Sequence, residues 1–193
     1  MTYAFGPGPW SPAVRMIILI NVAIFVASLV APVTILQWLG LMPADVMRGE
    51  VWQLATYLFV HSPRTLSHVL FNMLAVWMFG TELERRWGTV AFAKYYLITG
   101  IGAGICVVAV SLLPFEATRA TYDVITIGAS GAVYGLLLAW AMLFPHRRIL
   151  FMFIFPLPAR IFVLIVGAIA FFSALGAMGG PVSNLAQIGR AHV

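Results

Sequence analysis

The stretch Ile127-Gly128-Ala129-Ser130-Gly131-Ala132-Val133-Tyr134-Gly135 opens an apolar run that continues to Phe144. It reads as a membrane-spanning helix with a hydroxyl held among small residues at its start. A second apolar stretch carries His68-Val69-Leu70-Phe71-Asn72. Ionisable and amide groups are costly in hydrocarbon, so each needs a packing partner or a function.

Composition places both stretches in a bilayer. Of 193 residues, 62% are hydrophobic and 9% charged, with a mean hydropathy of +1.00. A soluble domain carries about 25% charged residues. The chain therefore reads as an integral membrane protein of one domain. The formal charge of +5 comes from scattered basic residues, which set orientation in a membrane rather than bind nucleic acid. Cys106 is the single cysteine, so there is no disulfide framework, and it is expected to be a small core residue. The N-terminus lacks a basic region and a cleavage site and is read as a short mature tail.

Five apolar segments are expected as spans: Val14 to Pro32, Leu66 to Phe79, Phe92 to Leu113, Gly128 to Phe144 and Ile161 to Leu175. Several fall short of the roughly 20 residues of an isolated span, which fits a thinned bilayer or a wet interior. The connection from Thr34 to Ser67 mixes Trp38, Trp52, Leu54, Tyr57 and Phe59 with Asp45, Arg48, Glu50 and His61, and is placed at the membrane interface. Ile149 to Pro158, broken by Pro156 and Pro158, is expected as a half-embedded loop. Arg15, Arg85, Arg86, Lys94, Arg147, Arg148 and Arg160 fall on one side. Arg48, Arg64 and Arg119 fall on the other, with Asp45, Glu50, Glu116 and Asp123. This basic excess puts the N-terminus in the cytoplasm and the Thr34–Ser67 connection outside; the membrane is expected to be a prokaryotic inner membrane. Gly100 and Gly104 follow no strand and are read as a close helix-packing face, not a nucleotide loop.

The polar residues each admit two readings. Ser130 is a helix-packing serine or a nucleophile whose neighbouring unpaired N–H groups face a developing oxyanion. Gly128 and Gly131 permit close backbone approach under either. His68 and Asn72, four residues apart, share a helix face and either tie helices together or donate to a reacting group. A metal site would need a third ligand, and His61 has no helical register to His68. Tyr134, one turn beyond Ser130, packs against an imidazole or fills the core. Glu82 and Glu84 are assigned to ion pairing and orientation beside Arg85 and Arg86.

Taken together, the Gly128-Ala129-Ser130-Gly131 motif, the His68-x-x-x-Asn72 motif, the Gly80-Thr81-Glu82-Leu83-Glu84 segment and the Phe155-Pro156-Leu157-Pro158-Ala159 segment resemble the rhomboid family of intramembrane serine proteases. The resemblance runs from about Trp10 onward. It implies an all-α polytopic transmembrane helical bundle with five spans present and the sixth missing. It implies Ser130 as nucleophile, His68 and Asn72 as oxyanion donors, and Tyr134 as support for the catalytic histidine. The implied chemistry is a Ser–His dyad acting on transmembrane protein substrates in the lipid bilayer, without metal or cofactor. Gln53, after Trp52, departs from an arginine common in the family, which puts a loop-stabilising ion network in doubt.

The family's catalytic histidine opens its sixth helix, and here Gln187 stands at that position. The last six residues, Ile188-Gly189-Arg190-Ala191-His192-Val193, equal one reading frame of a common sequencing-adapter sequence. The adapter's preceding bases complete a CAG codon for Gln187, whose first base a histidine codon shares. Residues 1–187 are accordingly read as a truncated rhomboid-like domain and 188–193 as a non-native tail. Glutamine does not accept a proton near neutral pH, so the chain as written is expected to be inactive. The rival readings are a catalytically dead relative that binds membrane clients, and a small transporter or channel, for which the inverted repeats typical of that class are not seen.

Overall fold

Proline sets the first boundaries. Pro12 can occupy the first helical turn, where its missing N–H is not needed, and Pro32 disfavours helix at the residue before it. In the computed structural model, which describes residues 8–145, 147–151, 155–159 and 161–168, helix α1 runs Pro12–Val30. Ala31 (φ −131°, ψ 65°) then breaks the chain before α2, Pro32–Leu39.

The connection from Thr34 to Ser67 is folded. It holds the short helices α3, Pro43–Met47, and α4, Gln53–Thr56, and a 3₁₀ turn, Tyr57–Phe59. Gln53 is fully buried at its centre. Its Oε1 accepts from the Met42 N–H at 2.9 Å, and its Nε2 donates to Glu50 at 2.9 Å and to the Gln37 carbonyl at 3.3 Å. A neutral amide thus stitches the loop where an arginine network was in question. Leu41 and Thr126 exchange backbone hydrogen bonds at 2.9 and 2.8 Å, tying this connection to the strand-like approach to Ser130.

The second span is longer than expected. Helix α5, Leu66–Ala75, passes through a π-turn at Val76–Gly80 into α6, Thr81–Trp87. Among the described residues, Leu66–Trp87 is one of three helices long and apolar enough to cross a membrane, with α1 and α7, Thr89–Ser111. After α8, Glu116–Arg119, helix α9 runs Ser130–Leu143 and is shorter, with 14 residues. Of the fifth expected span, residues 161–168 are helical. The rest of that span, Gln187 and the 188–193 tail lie outside the described residues.

Small residues let α7 and α9 touch along their backbones. A Cβ on Gly131 would lie 2.6 Å from that of Ala103, and one on Gly135 would lie 2.7 Å from that of Thr99. Tyr95 also donates to the Gly135 carbonyl at 3.0 Å. Gly100 and Gly104 are indeed close-packing positions, but their partners are not a span. They receive Leu58 and Tyr57 from the 3₁₀ turn, and the Tyr57 hydroxyl donates to the Gly100 carbonyl at 2.7 Å. Cys106 is exposed on α7 rather than in the core.

Two sequence expectations change at the end of the bundle that carries α6. Within Ile149 to Pro158, expected as a half-embedded loop, the described residues pair as two antiparallel strands, β1 Arg148–Phe151 and β2 Phe155–Pro158, with Leu150 opposite Pro156. A proline is tolerated in such a ribbon because each strand has a free edge. Glu84 is not an ion-pairing surface residue. It is buried, and its carboxylate accepts from the Ser11 hydroxyl, from the Ala13 and Val14 N–H groups at 2.9 and 3.0 Å, and from Thr89 at 2.8 Å. It caps α1 from another helix, where the helix dipole favours an anion. Glu82 does pair, with Arg147 at 2.6 Å, and also accepts from the Trp140 indole at 2.7 Å.

Glu84→Ala leaves two helix-terminal N–H groups and two hydroxyls without a buried partner. It should cost about 3 kcal/mol or more, since hydrogen bonds to a charged acceptor are worth about 1.5–3 kcal/mol each. Glu82→Ala, whose cationic partner is exposed, should cost about 1 kcal/mol. Thermal unfolding in detergent ranks the two, and an equal loss would contradict the capping role.

Candidate active site

Helices α5 and α9 face one another across a cavity of about 420 Å³. His68 and Asn72 line it from α5, Ser130 and Tyr134 line it from α9, and Val166 closes it from the 161–168 helix. The four sequence-selected side chains therefore share one space. Among the described residues, no carboxylate lines the cavity, and no three His, Cys, Asp or Glu side chains converge as metal ligands.

The approach to Ser130 is fixed by Gly128. Its φ of +114° is a conformation that side chains disfavour. A Cβ there would also lie 2.8 Å from His68 Nε2. The His68 ring thus lies against the backbone two residues before Ser130. The Gly128 N–H donates to the Tyr57 carbonyl at 2.9 Å, so the 3₁₀ turn holds this segment from behind. Ser130 is the first residue of α9, where leading N–H groups have no partner within the helix. Gly131 meets Ala103 and lies near the Tyr57 hydroxyl, which seats the first turn of α9 on α7. Tyr134 is 41% exposed and opens on the cavity, so it is not a core filler.

The Asn72 amide nitrogen lies 2.9 Å from the His68 carbonyl and 3.2 Å from His61 Nε2. His61 is the site residue that sequence spacing missed. It is fully buried, and its ring meets that of His68 edge-on with centroids 4.9 Å apart. The lack of helical register between the two histidines is real, but the loop at 62–65 folds His61 back against α5. The one sequence signal was the cost of burying an imidazole at the edge of an apolar run. Burial, and then the neighbouring His68, push the His61 pKa down to about 4 from an ordinary 6.5.

Chemically, the cavity presents a hydroxyl with an imidazole and a carboxamide on the facing helix. A peptide carbonyl entering it would meet a nucleophile and hydrogen-bond donors together.

Comparison with known families fits this arrangement. Residues 48–192 match the family model described as "Rhomboid domain". The chain is 31% identical over 144 residues to rhomboid protease GluP of Bacillus subtilis, covering 75% of this chain and 24% of that protein. It is 35% identical over 107 residues to the mitochondrial rhomboid protein 1 of Saccharomyces cerevisiae, covering 55% and 30%. It is 34% identical over 99 residues to rhomboid protease GlpG of Salmonella typhi, covering 51% and 32%. The chain thus spans no more than about a third of the length of these curated relatives.

Two outcomes follow from the site geometry. Gly128→Ala forces a Cβ into both a disfavoured φ and the His68 ring. It should destabilise the fold by about 1–3 kcal/mol, measured by thermal unfolding in detergent, and displace the His68 ring signals in NMR spectra. The buried neutral His61 gives an acid sensitivity of defined sign. The unfolded chain takes up a proton at His61 near pH 6.5 and the folded chain only near pH 4. The contribution is therefore whole above about 6.5 and lost as pH falls toward 4, by at most about 1.4 kcal/mol per pH unit. His61→Gln should flatten that part of the pH–stability curve, and an unchanged slope would argue against a buried neutral ring.

Proposed function

The chain belongs to the rhomboid family, and from that premise we propose that its protein is an intramembrane serine protease with Ser130 as nucleophile. Rhomboid proteases are serine hydrolases. The single observation that carries the assignment to these residues is the cavity shared by Ser130, His68, Asn72 and Tyr134. Ser130 Oγ attacks the scissile carbonyl and gives its proton to a histidine base. His68, Asn72 and the Ser130 N–H stabilise the oxyanion. Collapse breaks the C–N bond, and the imidazolium protonates the departing amine. Water then hydrolyses the acyl-enzyme, with the same histidine as base.

The base in this proposal is a histidine where the sequence has Gln187, carried by a natural chain that continues into a sixth helix. The chain with Gln187 has no proton acceptor in that role and should not cut. Substrates are membrane proteins whose transmembrane helix unwinds locally, because a helical peptide bond is shielded from a nucleophile until its backbone opens. Small or helix-destabilising residues near the cut would help. The N-terminus, with Arg15, Arg85, Arg86 and Arg147, faces the cytoplasm of a prokaryotic cell. Gln187 itself favours a second reading, a catalytically dead relative that holds membrane clients without cleaving them.

A fluorophosphonate probe separates these readings. With the natural C-terminus restored from the genomic locus, the protein should label, and Ser130→Ala should abolish the label. The chain ending in Gln187 should label at least about a hundredfold more slowly, because general-base catalysis contributes typically 10²–10⁴-fold. Genomic DNA that itself encodes Gln187 followed by the same tail would favour the client-binding reading, as would a restored protein that neither labels nor cleaves.

A further inference from the structure

Asn72 carries an amide whose two ends have opposite polarity, and the oxyanion role uses only the N–H end. Something must therefore decide which end points where. Two neighbours do so. The atom 2.9 Å from the His68 carbonyl must be the amide nitrogen, because that carbonyl can only accept. The same nitrogen lies 3.2 Å from His61 Nε2. An N–H facing a ring nitrogen at that distance needs a lone pair on it, so Nε2 carries no proton. A neutral imidazole carries one proton, so it sits on the ring's other nitrogen, Nδ1, which is buried with no hydrogen-bond partner among the described residues. The ring is fully buried, edge-on against His68, and its chain is pinned by the Val60 N–H on the Tyr57 carbonyl at 3.2 Å.

We propose that His61 is a positioning residue for the reaction: as the neutral tautomer protonated on Nδ1, it holds one Asn72 N–H through its bare Nε2. This rests on the protease reading only for its consequence in catalysis. At rest both amide protons are occupied, one by the His68 carbonyl and one by His61. An oxyanion draws on the longer of the two bonds, that to His61. Without His61 the amide is held by the His68 carbonyl alone, and its terminal torsion, which is broad and roughly two-fold, no longer keeps the second N–H aimed at a developing negative charge. The loss falls on the chemical step and not on substrate binding.

Two measurements test this. Nitrogen-15 NMR of the chain in detergent micelles reads the His61 tautomer directly and needs no catalysis. A protonated Nδ1 with a bare Nε2 is expected, and a protonated Nε2 would overturn the proposal. In the protein with its natural C-terminus, His61→Leu should lower kcat about tenfold or more with KM unchanged, approaching the 10²–10³ seen on losing one oxyanion donor. His61→Gln, which keeps an acceptor, should recover part of it. In an Asn72→Ala background, His61→Leu should cost nothing further. An undiminished second loss there would mean that His61 acts on folding alone and would refute the positioning role. Should His61→Leu fail to fold, the His61→Gln comparison in the two backgrounds takes its place. If no form with the natural C-terminus cleaves or labels, the protease reading fails while the tautomer measurement still decides the positioning of Asn72.

Discussion

One buried carboxylate joins three helices at one end of the bundle. Glu84 accepts from the start of α1, from the Ser11 hydroxyl before it, and from Thr89 at the start of α7. In water such donors would be solvated cheaply. In a bilayer they must be met by the protein or the helix end does not form. The carboxylate therefore fixes where α1 begins relative to α6 and α7, and so the frame on which α9 packs.

The opposite end solves the same problem with neutral groups. Gln53 satisfies three segments of the Thr34–Ser67 connection with one amide. Tyr57 reaches the Gly100 carbonyl with its hydroxyl and the Gly128 N–H with its own carbonyl. The connection thus works as a rigid brace rather than a surface excursion. It presses on α7 through Leu58 and on the turn that delivers Ser130. The cavity stands between these two braced ends, and its geometry depends on both.

The sequence made much of this readable. Apolar runs marked the spans because the bilayer demands long stretches of such residues. Helical spacing put His68 with Asn72 and Ser130 with Tyr134, since the period of a helix fixes which side chains share a face. Glycines at 128, 131 and 135 announced close approach. What stayed hidden was every contact made across non-helical backbone. His61 reaches Asn72 through a bend with no period. Glu84 sat beside two arginines, and adjacency suggested an ion pair, yet Ser11, Ala13 and Val14, which donate to it, lie 70 to 73 residues earlier in the chain. The pairing of β1 and β2 was masked by prolines that usually signal a break. Gly100 and Gly104 declared a crowded face without saying what crowds it.

The π-turn at Val76–Gly80 carries a consequence for the chain's tolerance of insertions and deletions. In an uninterrupted helix, Asn72 and Glu84 would point about 120° apart around the axis, but one extra residue wound into the turn brings them to within about 20°. A single widened turn therefore lets one transmembrane rod aim both its amide and its carboxylate at protein instead of lipid. Removing one residue from that turn would straighten the helix and keep the phase, since eleven regular steps of about 100° again leave the two groups within about 20° of each other. Adding a residue elsewhere in the rod would instead turn one of its two polar ends toward the hydrocarbon.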